Sequence, residues 1–301
     1  VALNCVANGK IYKNKIFDKI WIQPAAGDAG GSLGAALAYW YHELKNERST
    51  NTVDDMKGSY LGPKFENSTI EKKLFSLNAN FKKYSGEELI DIIANELTKE
   101  KTVGWFQGRM EFGPRALGAR SILADPRSER MQKELNLKVK FRESFRPFAP
   151  SILSEEVNNW FNIKIDSPYM LLVAELNKKL QISMTKEQKN LFGIEKLNIK
   201  RSKIPAVTHV DYSARVQTVH KDTNLKYYNL IKKFNELTGC PILVNTSFNI
   251  RGEPIVCSIE DAFNCFMGTN LDILACENFI LYKDKQDKKL IKDYKSKFVL
   301  D

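Results

Sequence analysis

Residues 108–153 read GRMEFGPRALGARSILADPRSERMQKELNLKVKFRESFRPFAPSIL and contain seven of the 11 arginines in the chain. The other basic residues are lysines, spread along the whole sequence. A guanidinium is planar, keeps its charge and contacts phosphate or carboxylate oxygens in pairs, whereas lysine would serve solubility equally well. Glycine, proline and phenylalanine separate the arginines, which predicts an anion pocket for a phosphorylated small molecule or nucleic acid. The seven are Arg109, Arg115, Arg120, Arg127, Arg130, Arg142 and Arg146.

The composition is that of a folded intracellular protein. A length of 301 residues and a hydrophobic content of 43% suit two domains, or one large domain with an appendage. No apolar run approaches the roughly 20 residues of a membrane span. The cysteines lack CxxC spacing, which predicts free thiols and a cytoplasmic location; they are Cys5, Cys240, Cys257, Cys265 and Cys276. A net charge of +10 suits anionic ligands, but dispersed lysine is weak evidence for nucleic acid.

The first 49 residues form a unit of their own in this interpretation. Val1 opens an apolar, strand-like run, so we expect further sequence upstream. A turn is predicted at residues 7–9, and then a glycine-rich loop from Pro24 that leads into a helix. An apolar stripe of Leu33, Leu37 and Trp40 supports that helix, whose N-terminus could face a phosphate.

Alternating helices and strands in the rest of the chain predict an α/β or α+β sheet. Residues 46–64 are polar and are interpreted as a linker. Arg109 to Gly118 is expected to be a loop. Helices are predicted at residues 87–99, 129–135, 224–237 and 259–267. Strands are predicted at residues 103–106, 170–175, 217–219 and 241–244, with a last one ending at 282, before a lysine-rich tail.

Four motifs resemble the carboxy-terminal half of the O-carbamoyltransferases that modify nodulation factors and antibiotics. They are FGPRALGARSILADPR, the K-x-R-x-x-x-R-P-F-A-P run, HVDYSARVQTV and TGCPILVNTSFNIRGEPIV, in the family's order over nearly the whole chain. The resemblance implies a YrdC-like twisted mixed sheet with helices, preceded by a fragment of an actin-like (ASKHA) domain. The implied divisions are 1–49 (the actin-like piece), 50–64 (the linker), 65–284 (the YrdC-like domain) and 285–301 (a basic tail).

The resemblance also implies where the chemistry lies. YrdC-like domains carry a K-x-R and a distant S-x-N motif, and here Lys140, Arg142, Ser247 and Asn249 match them. In an extended strand, residues i and i+2 share a face, so each motif would place two polar groups in one cleft and turn its central phenylalanine inward. The catalytic candidates are Lys140, Arg142 and Arg146. The candidates for binding carbamoyl phosphate and ATP are these three with Arg115, Arg215, Asn245, Thr246, Ser247 and Asn249.

Three of the other basic residues are interpreted differently. Arg127 and Arg130 are expected to form surface ion pairs. Lys138 is expected to be a solvated neighbour of the motif.

The implied reaction has two steps. Carbamoyl phosphate is split to carbamate and phosphate, and carbamate then attacks the α-phosphate of ATP to give O-carbamoyl adenylate and pyrophosphate. The actin-like domain passes the carbamoyl group to the hydroxyl of a small-molecule acceptor. Cationic side chains suit this chemistry, because phosphoryl and adenylyl transfer depend on positioning and charge neutralisation. Mg²⁺ is expected with ATP.

A few residues of the first segment resemble residues of the actin-like domain. Asn4 resembles the asparagine of its nucleotide motif, with Gly27 and Gly31 beside it. Asp28 resembles the aspartate that joins two upstream histidines in binding Fe²⁺, so this chain would hold an incomplete site; the competing interpretation is a helix cap.

One motif departs from the family pattern. HVDYSARVQ has Tyr212 and Ser213 where the family has Gly and Thr. A tyrosine disfavours a left-handed turn, so the loop is expected to differ and roles for His209 and Asp211 are in doubt.

Two other functions share part of this pattern. Threonylcarbamoyl-adenylate synthases have K-x-R and S-x-N motifs but use bicarbonate and threonine; the RALGARSILADPR and NTSFN blocks favour carbamoyl transfer. A basic YrdC-like module could hold RNA, but that needs exposed aromatic platforms. Phe112, Phe141, Phe145 and Phe148 are expected to belong to the core, which argues against nucleic acid. No membrane partner is expected, and a homodimer is left open.

Overall fold

The computed structural model describes residues 1–48, 54–197, 199–291 and 293–298. The described residues form one mixed sheet of nine strands with helices packed on it, which confirms the predicted α/β class. The strands are β1 (Lys82–Lys83), β2 (Val103–Phe106), β3 (Arg120–Ala124), β4 (Ala149–Leu153), β5 (Leu172–Glu175), β6 (Ser213–Val219), β7 (Ile242–Ser247), β8 (Ile273–Cys276) and β9 (Phe279–Tyr282).

Ten α-helices occur in the same part of the chain. They are α1 (Cys5–Lys13), α2 (Asp28–Ala38), α3 (Asn67–Ser76), α4 (Gly86–Thr98), α5 (Met131–Glu134), α6 (Val157–Trp160), α7 (Lys186–Asn190), α8 (Gly193–Leu197), α9 (Leu225–Thr238) and α10 (Ile259–Gly268). Wider π-helical turns extend α2 through Tyr39–Glu43 and α5 through Leu135–Val139. None of the helices in the described ranges combines the length and apolar character needed to cross a bilayer.

The order of the strands brings three loops to one edge of the sheet. The order is β1-β9-β8-β2-β3-β7-β4-β6-β5, and β7 is antiparallel to both neighbours, β3 and β4. The carboxyl end of β7 therefore lies beside the amino ends of β3 and β4. Strand β6 is parallel to β4, so it begins at the same edge. The segments before β3 and β4 and after β7 meet there.

The core helices follow local signals in the sequence. Ser85 and Glu88 form a capping box at the start of α4, and Leu89, Ile93 and Leu97 are buried along one stripe. Helix α9 begins at the cap Asn224 and ends at a left-handed glycine, Gly239 (φ +69°). The helices α4 and α9 pack on each other, and α9 also packs on β4 and β7. The predictions for both helices are confirmed.

Two strands of the arginine-rich segment were not predicted. All five residues of β3 and all five of β4 are buried, but the apolar runs are too short to distinguish a strand from a loop by periodicity. The short strand β1 and the helix α3 were also missed. The predicted strands at 103–106, 170–175, 217–219 and 241–244 correspond to β2, β5, β6 and β7.

The first segment is helical where a strand and a turn were predicted, and that prediction is wrong. Asn4 caps α1, since its Oδ1 accepts a hydrogen bond from the Ala7 amide at 3.1 Å. Gly9 lies inside α1, where an added Cβ would come 2.5 Å from the Val173 carbonyl oxygen. The glycine allows this close approach to β5, and it does not mark a turn.

The glycine-rich loop is shorter than predicted, because α2 already begins at Asp28. Gly30, Gly31 and Gly34 therefore lie inside the helix. Of the predicted apolar stripe, Leu33 is half-buried and packs against a core cluster, whereas Leu37 and Trp40 are exposed, at 44% and 50%.

The polar stretch 46–64 lies partly outside the described residues, and with it the proposed division at 49/50. Residues 54–64 fold against the arginine-rich segment: the Ser59 hydroxyl donates to the Phe112 carbonyl at 2.6 Å, and Met56, Gly58 and Ser59 are buried. In the tail, Tyr294 is 5% exposed and would collide with any side chain at Gly268. Residues 299–301 lie outside the described part.

Candidate functional site

Two adjoining cavities open at the edge where β7 ends and β3 and β4 begin. The first, of about 260 Å³ and called here the arginine cavity, is lined by Pro114, Arg115, Ala116, Arg142, Arg146, Pro147, Phe148, Ala149, Met170, Arg215, Asn245, Thr246 and Ser247. The second, of about 270 Å³ and called the lysine cavity, is lined by Lys140, Arg142, Arg146, Ser247, Asn249, Ile250, Arg251, Gly252, Glu253 and Pro254. The cavities share Arg142, Arg146 and Ser247.

The residues of the K-x-R and S-x-N motifs meet in this cleft. Lys140 is 2% exposed, and its ammonium donates to the Asn249 Oδ1 at 2.7 Å, the Asn249 carbonyl at 2.9 Å and the Ser247 Oγ at 3.2 Å, and also to the Ser247 carbonyl. Burial, and then the charge of Arg142, lower the pKa of Lys140 to about 7. The oxygen acceptors favour the charged form, so the two effects oppose each other.

The K-x-R motif is not a strand, and that prediction is wrong. Lys140 ends the π-helical turn, and Phe141 has a left-handed φ of +49°. Lys140 and Arg142 therefore converge through a tight turn and not through strand alternation. Phe248 is fully buried as predicted, whereas Phe141 is half-buried and packs against the core.

Asn136 organises this turn, and it was missed by sequence reasoning. It is fully buried; its carbonyl accepts from the Arg142 amide at 3.0 Å and its Oδ1 accepts from the Arg142 Nε at 2.7 Å. Its amide nitrogen donates to the carbonyls of Ser144 (3.1 Å) and Arg146 (2.9 Å). An asparagine within an amphipathic stretch carries no local signal of this role.

Like charges crowd the cleft. Burial, and then the charge of Arg146, lower the pKa of Arg142 to about 10. Burial, and then the charge of Arg115, likewise lower the pKa of Arg215 to about 10. The arginine cavity has four arginines and no acidic residue among its described lining residues. An anion bound between these guanidinium groups would reduce their mutual repulsion.

Asn245 lies at the floor of the arginine cavity and is fully buried. Its amide nitrogen donates to the Ser151 Oγ at 3.0 Å, the Gln217 Oε1 at 2.9 Å and the Ala116 carbonyl at 3.2 Å. These bonds tie β7 to β4 and to the loop that carries Arg115. The donors of Asn245 are engaged within the protein, and its Oδ1 has no hydrogen-bond partner among the described atoms.

Four of the seven clustered arginines lie away from the cleft. Arg130 forms a surface ion pair with Glu100 (2.5 Å), as predicted. Arg127 also forms an ion pair, with Asp125 at 2.6 Å, but the Asp125 side chain is 3% exposed, so this pair is not on the surface as predicted. Arg120 is fully buried, 3.6 Å above the Phe106 ring. It donates to the carbonyls of Gln107, Ala119, Gly108 and Pro63 at 3.0–3.3 Å. Arg109 donates to the Gly62 carbonyl at 3.1 Å. Residue type alone could not separate these arginines from the three in the cleft.

Lys138 is exposed near Glu134, as predicted.

Two carboxylates near the lysine cavity were also missed. Glu253 is 8% exposed; it accepts from the Ile250 amide at 2.8 Å and from the Tyr294 hydroxyl, and burial raises its pKa. Glu143 lies between Arg146 and Arg251, with oxygens 3.0 Å from the Arg146 Nε and 3.3 Å from the Arg251 Nη1. The tail residue Tyr294 thus supports the loop that follows Asn249.

The loop of the HVDYSARVQ motif keeps a left-handed residue. Tyr212 has a φ of +64°, so the tyrosine does not prevent the turn, and the expectation that it would is wrong. Its hydroxyl donates to the Ile182 carbonyl at 3.1 Å, and Asp211 accepts from the Ser213 amide and hydroxyl at 3.0 and 2.6 Å. His209 lies 3.0 Å from the Ser213 Oγ, and burial lowers its pKa. Neither His209 nor Asp211 is among the described residues that line the cavities.

The candidates in the first segment lie outside the two cavities. Asn4 caps α1, Gly27 caps α2 through its backbone, and Gly31 is exposed within α2. Asp28 is exposed in the first turn of α2. The described residues contain no group of three His, Cys, Asp or Glu side chains that could hold a metal ion.

The phenylalanines of the cleft segments do not form a stacking platform. Phe148 is 3% exposed, under Arg142 at 5.1 Å, and Phe112 and Phe141 pack against core clusters. Phe145 is 52% exposed, contrary to its predicted place in the core. Phe145 is therefore the one exposed ring among these four phenylalanines.

Comparison with known proteins agrees with the motifs. The sequence profile of the family described as "Carbamoyltransferase C-terminus" matches residues 94–283, and that of "Carbamoyltransferase N-terminus" matches residues 1–37. The chain belongs to the carbamoyltransferase family. Among the relatives of this chain, an uncharacterized protein of Synechocystis sp. is 57% identical, covering 96% of this chain and 47% of that protein.

Two named relatives are nodulation proteins. NolNO of Sinorhizobium fredii is 38% identical (94% of this chain, 39% of that protein), and NolO of Bradyrhizobium diazoefficiens is 39% identical (94% and 48%). The chain thus spans less than half the length of these relatives. A crystal structure of full-length HypF in a phosphate- and nucleotide-bound form aligns with a TM-score of 0.39 at 17% identity, over 62% of this chain and 21% of HypF.

Proposed function

We propose that this member of the carbamoyltransferase family forms O-carbamoyl adenylate from carbamoyl phosphate and ATP. The observation that carries the proposal is the pair of adjoining cavities that share Arg142, Arg146 and Ser247. Two anionic substrates bound side by side would both contact the shared arginines. The reacting groups would then be held next to each other, which supplies much of the catalysis in such transfers.

The charges of the cleft suit the two chemical steps. In the first, water converts carbamoyl phosphate to carbamate and phosphate, and guanidinium groups stabilise the departing phosphate. In the second, a carbamate oxygen attacks the α-phosphorus of ATP and the bond to pyrophosphate breaks. Arg142 and Arg146 lie between the cavities and would neutralise charge on both sides of the bond that forms.

Individual residues have separate tasks in this proposal. Lys140, Ser247 and Asn249 form a bonded cluster that gives the wall of the lysine cavity a defined shape. Arg115 and Arg215 provide the charge of the arginine cavity on the side away from Lys140. Asn245 acts by positioning, since its donors hold the Arg115 loop against β7 and β4.

In this proposal Mg²⁺ is bound together with ATP, and iron belongs to a site completed in a longer protein. Mg²⁺ would neutralise the ATP phosphates, and we assign no residue of this chain to it. Asp28 by itself does not form an iron site, and the described residues contain no group of three side chains that could hold a metal ion. Transfer of the carbamoyl group to an acceptor hydroxyl, with release of AMP, is proposed to need the amino-terminal half that the longer relatives have.

The test is calorimetry with each substrate and a pyrophosphate-release assay with both. We expect the chain to bind carbamoyl phosphate and ATP and to release pyrophosphate only when both are present, without transfer to an added hydroxyl compound. If neither substrate binds, the proposal is wrong. If RNA binds instead, with an affinity that falls steeply as salt rises, the nucleic-acid alternative replaces it.

A further inference from the structure

Glu143 is the one residue of the cleft segments whose charge opposes the proposed ligands while it touches the arginines that would bind them. It lies between Arg142 and Arg146 in the sequence. Its Oε1 is 3.3 Å from the Arg251 Nη1, a hydrogen bond. Its Oε2 is 3.0 Å from the Arg146 Nε, within ion-pair distance but outside hydrogen-bond geometry. The carboxylate thus bridges a residue before β4 and a residue after β7.

The bridge lies at the lysine cavity. Arg251 lines that cavity, whereas Arg146 lines both. The side chain of Glu143 is 39% exposed, so it can turn toward solvent. Arg146 and Arg251 are also partly exposed, at 45% and 23%.

A phosphate ligand held by Arg146 and Arg251 would compete with this carboxylate. The ligand could take the N–H groups that now face Glu143. Otherwise it would bind beside the carboxylate and bring its own negative charge close to that of Glu143. The repulsion grows with the charge of the ligand. Pyrophosphate, with the highest net charge among the proposed products, would therefore be affected more than inorganic phosphate.

We propose that Glu143 is a specificity-determining residue that limits how tightly the lysine cavity holds highly charged phosphate ligands, pyrophosphate above all. This rests on the proposed function, in which pyrophosphate must leave after each turnover. By weakening its retention, the carboxylate favours product release. The bridge also keeps Arg146 and Arg251 near each other until a ligand takes its place.

A purely structural role makes the opposite prediction. If Glu143 served only to orient the two arginines, its loss would leave them poorly placed and weaken the binding of every anion. If it competes with the ligand, its loss strengthens binding. The sign of the change in affinity separates the two roles.

The experiment is titration calorimetry of the whole chain with inorganic pyrophosphate and with inorganic phosphate. Glu143→Gln removes the charge and keeps the size. We expect its Kd for pyrophosphate to fall about five- to tenfold, the Kd for phosphate to fall less, and both gains to shrink at high salt. Glu143→Ala carries the same expectation and replaces the glutamine variant if that variant does not fold.

Glu129→Gln is the matched control. Glu129 is 63% exposed and pairs with Lys200 at 2.8 Å, outside the cleft, so its replacement removes one charge without touching the site. We expect its affinities to stay within about twofold of the wild type.

The outcomes separate this inference from the proposed function. If the wild type binds carbamoyl phosphate and ATP but the Glu143 variants bind pyrophosphate equally or more weakly, only the inference about Glu143 is wrong. If wild type and variants bind none of these anions, the proposed function falls and this inference falls with it. An equal gain in Glu129→Gln would make the effect one of net charge and would also overturn it.

Discussion

The two cavities of the cleft are built from similar cations but differ in how those cations are balanced. In the arginine cavity, Arg115 and Arg215 add to the shared Arg142 and Arg146, and no acidic residue is among the described lining residues. In the lysine cavity, Lys140 is bonded to Ser247 and Asn249, Glu253 lines the wall, and Glu143 bridges two arginines. Two cavities with similar numbers of cations can therefore differ in how much of that charge is available to a ligand. In the arginine cavity only the shared Arg146 contacts a carboxylate among the described residues, that of Glu143, whereas protein groups engage most cations of the lysine cavity.

Because of this contrast, we expect the two cavities to differ in how they bind ligands. A ligand in the arginine cavity would meet four arginines, of which Arg146 alone contacts a carboxylate among the described residues. One in the lysine cavity must match an existing pattern of donors and compete with a carboxylate. We therefore expect the arginine cavity to set affinity for phosphate and the lysine cavity to set discrimination between ligands.

The largest effect is expected from Arg146, because both cavities share it. Arg146→Ala should lower pyrophosphate release from carbamoyl phosphate and ATP by roughly 30- to 900-fold, since one cationic donor in such a site contributes about 2–4 kcal/mol to transition-state stabilisation. The side chain is 45% exposed, so the melting temperature should change little. Arg130→Ala, which removes an arginine that pairs with Glu100 outside the cleft, is the control. Unchanged turnover in Arg146→Ala would make this residue structural and remove the link between the cavities.

A smaller and more selective effect is expected from Arg215, which lines only the arginine cavity. Arg215→Ala should weaken the binding of one substrate by about tenfold or more, the typical effect of losing a hydrogen bond to a charged group. The other substrate should bind within about twofold of its wild-type affinity. Calorimetry with each substrate separately would measure this. If both substrates lost affinity equally, the two cavities would act as a single site.

The smallest effect concerns the pH dependence of the lysine cavity. Because burial and Arg142 lower the pKa of Lys140 from 10.5 to about 7, we expect its side chain to be mainly a cation at pH 6 and mainly neutral at pH 8.5. Sulfate, which does not titrate in this range, should therefore bind a few-fold more weakly at pH 8.5 than at pH 6. Lys140→Met should show weak binding with a flat profile. A wild-type profile that is equally flat would mean that the oxygen acceptors keep Lys140 charged.

The same shift has a consequence for stability. Between pH 7 and 10.5 the folded chain binds fewer protons at Lys140 than the unfolded chain does. The contribution of this residue to the free energy of unfolding therefore increases with pH across that window. Thermal melting of the wild type and of Lys140→Met would show a difference that changes with pH in this direction.

Local signals predicted the helices of the core well. The capping box at Ser85 and the apolar stripe of α4 act within one or two turns of helix, so they can be read from neighbouring residues. The same holds for Asn224 and Gly239 at the ends of α9.

The first segment was predicted wrongly because the Asn4 cap competed with a strand-like apolar run. Gly9, which seemed to mark a turn, is required by the approach of Val173, 164 positions away in the chain.

The sequence predicted which motif residues lie in the candidate site but not the backbone geometry that brings them together. The motifs indicated that Lys140, Arg142, Ser247 and Asn249 would share a cleft, and the structure brings them together. The assumed strand at Lys140–Arg142 was wrong because the turn depends on the buried amide of Asn136, whose partners are set by the three-dimensional path of the loop. Asn136, Glu143 and Glu253 were missed for the same reason.

The sequence by itself determined the family, the residues of the K-x-R and S-x-N motifs and the positions of the main helices, because each depends on residue types at fixed short spacings. Only the tertiary structure decided which arginines face the cleft. Arg120 and Arg115 are five positions apart, yet Arg120 is buried on Phe106 and Arg115 lines a cavity. Whether a guanidinium binds protein carbonyls or faces a ligand depends on which strands its loop joins. In this protein that follows from the antiparallel placement of β7 between β3 and β4, which pairs residues 90 or more positions apart in the chain.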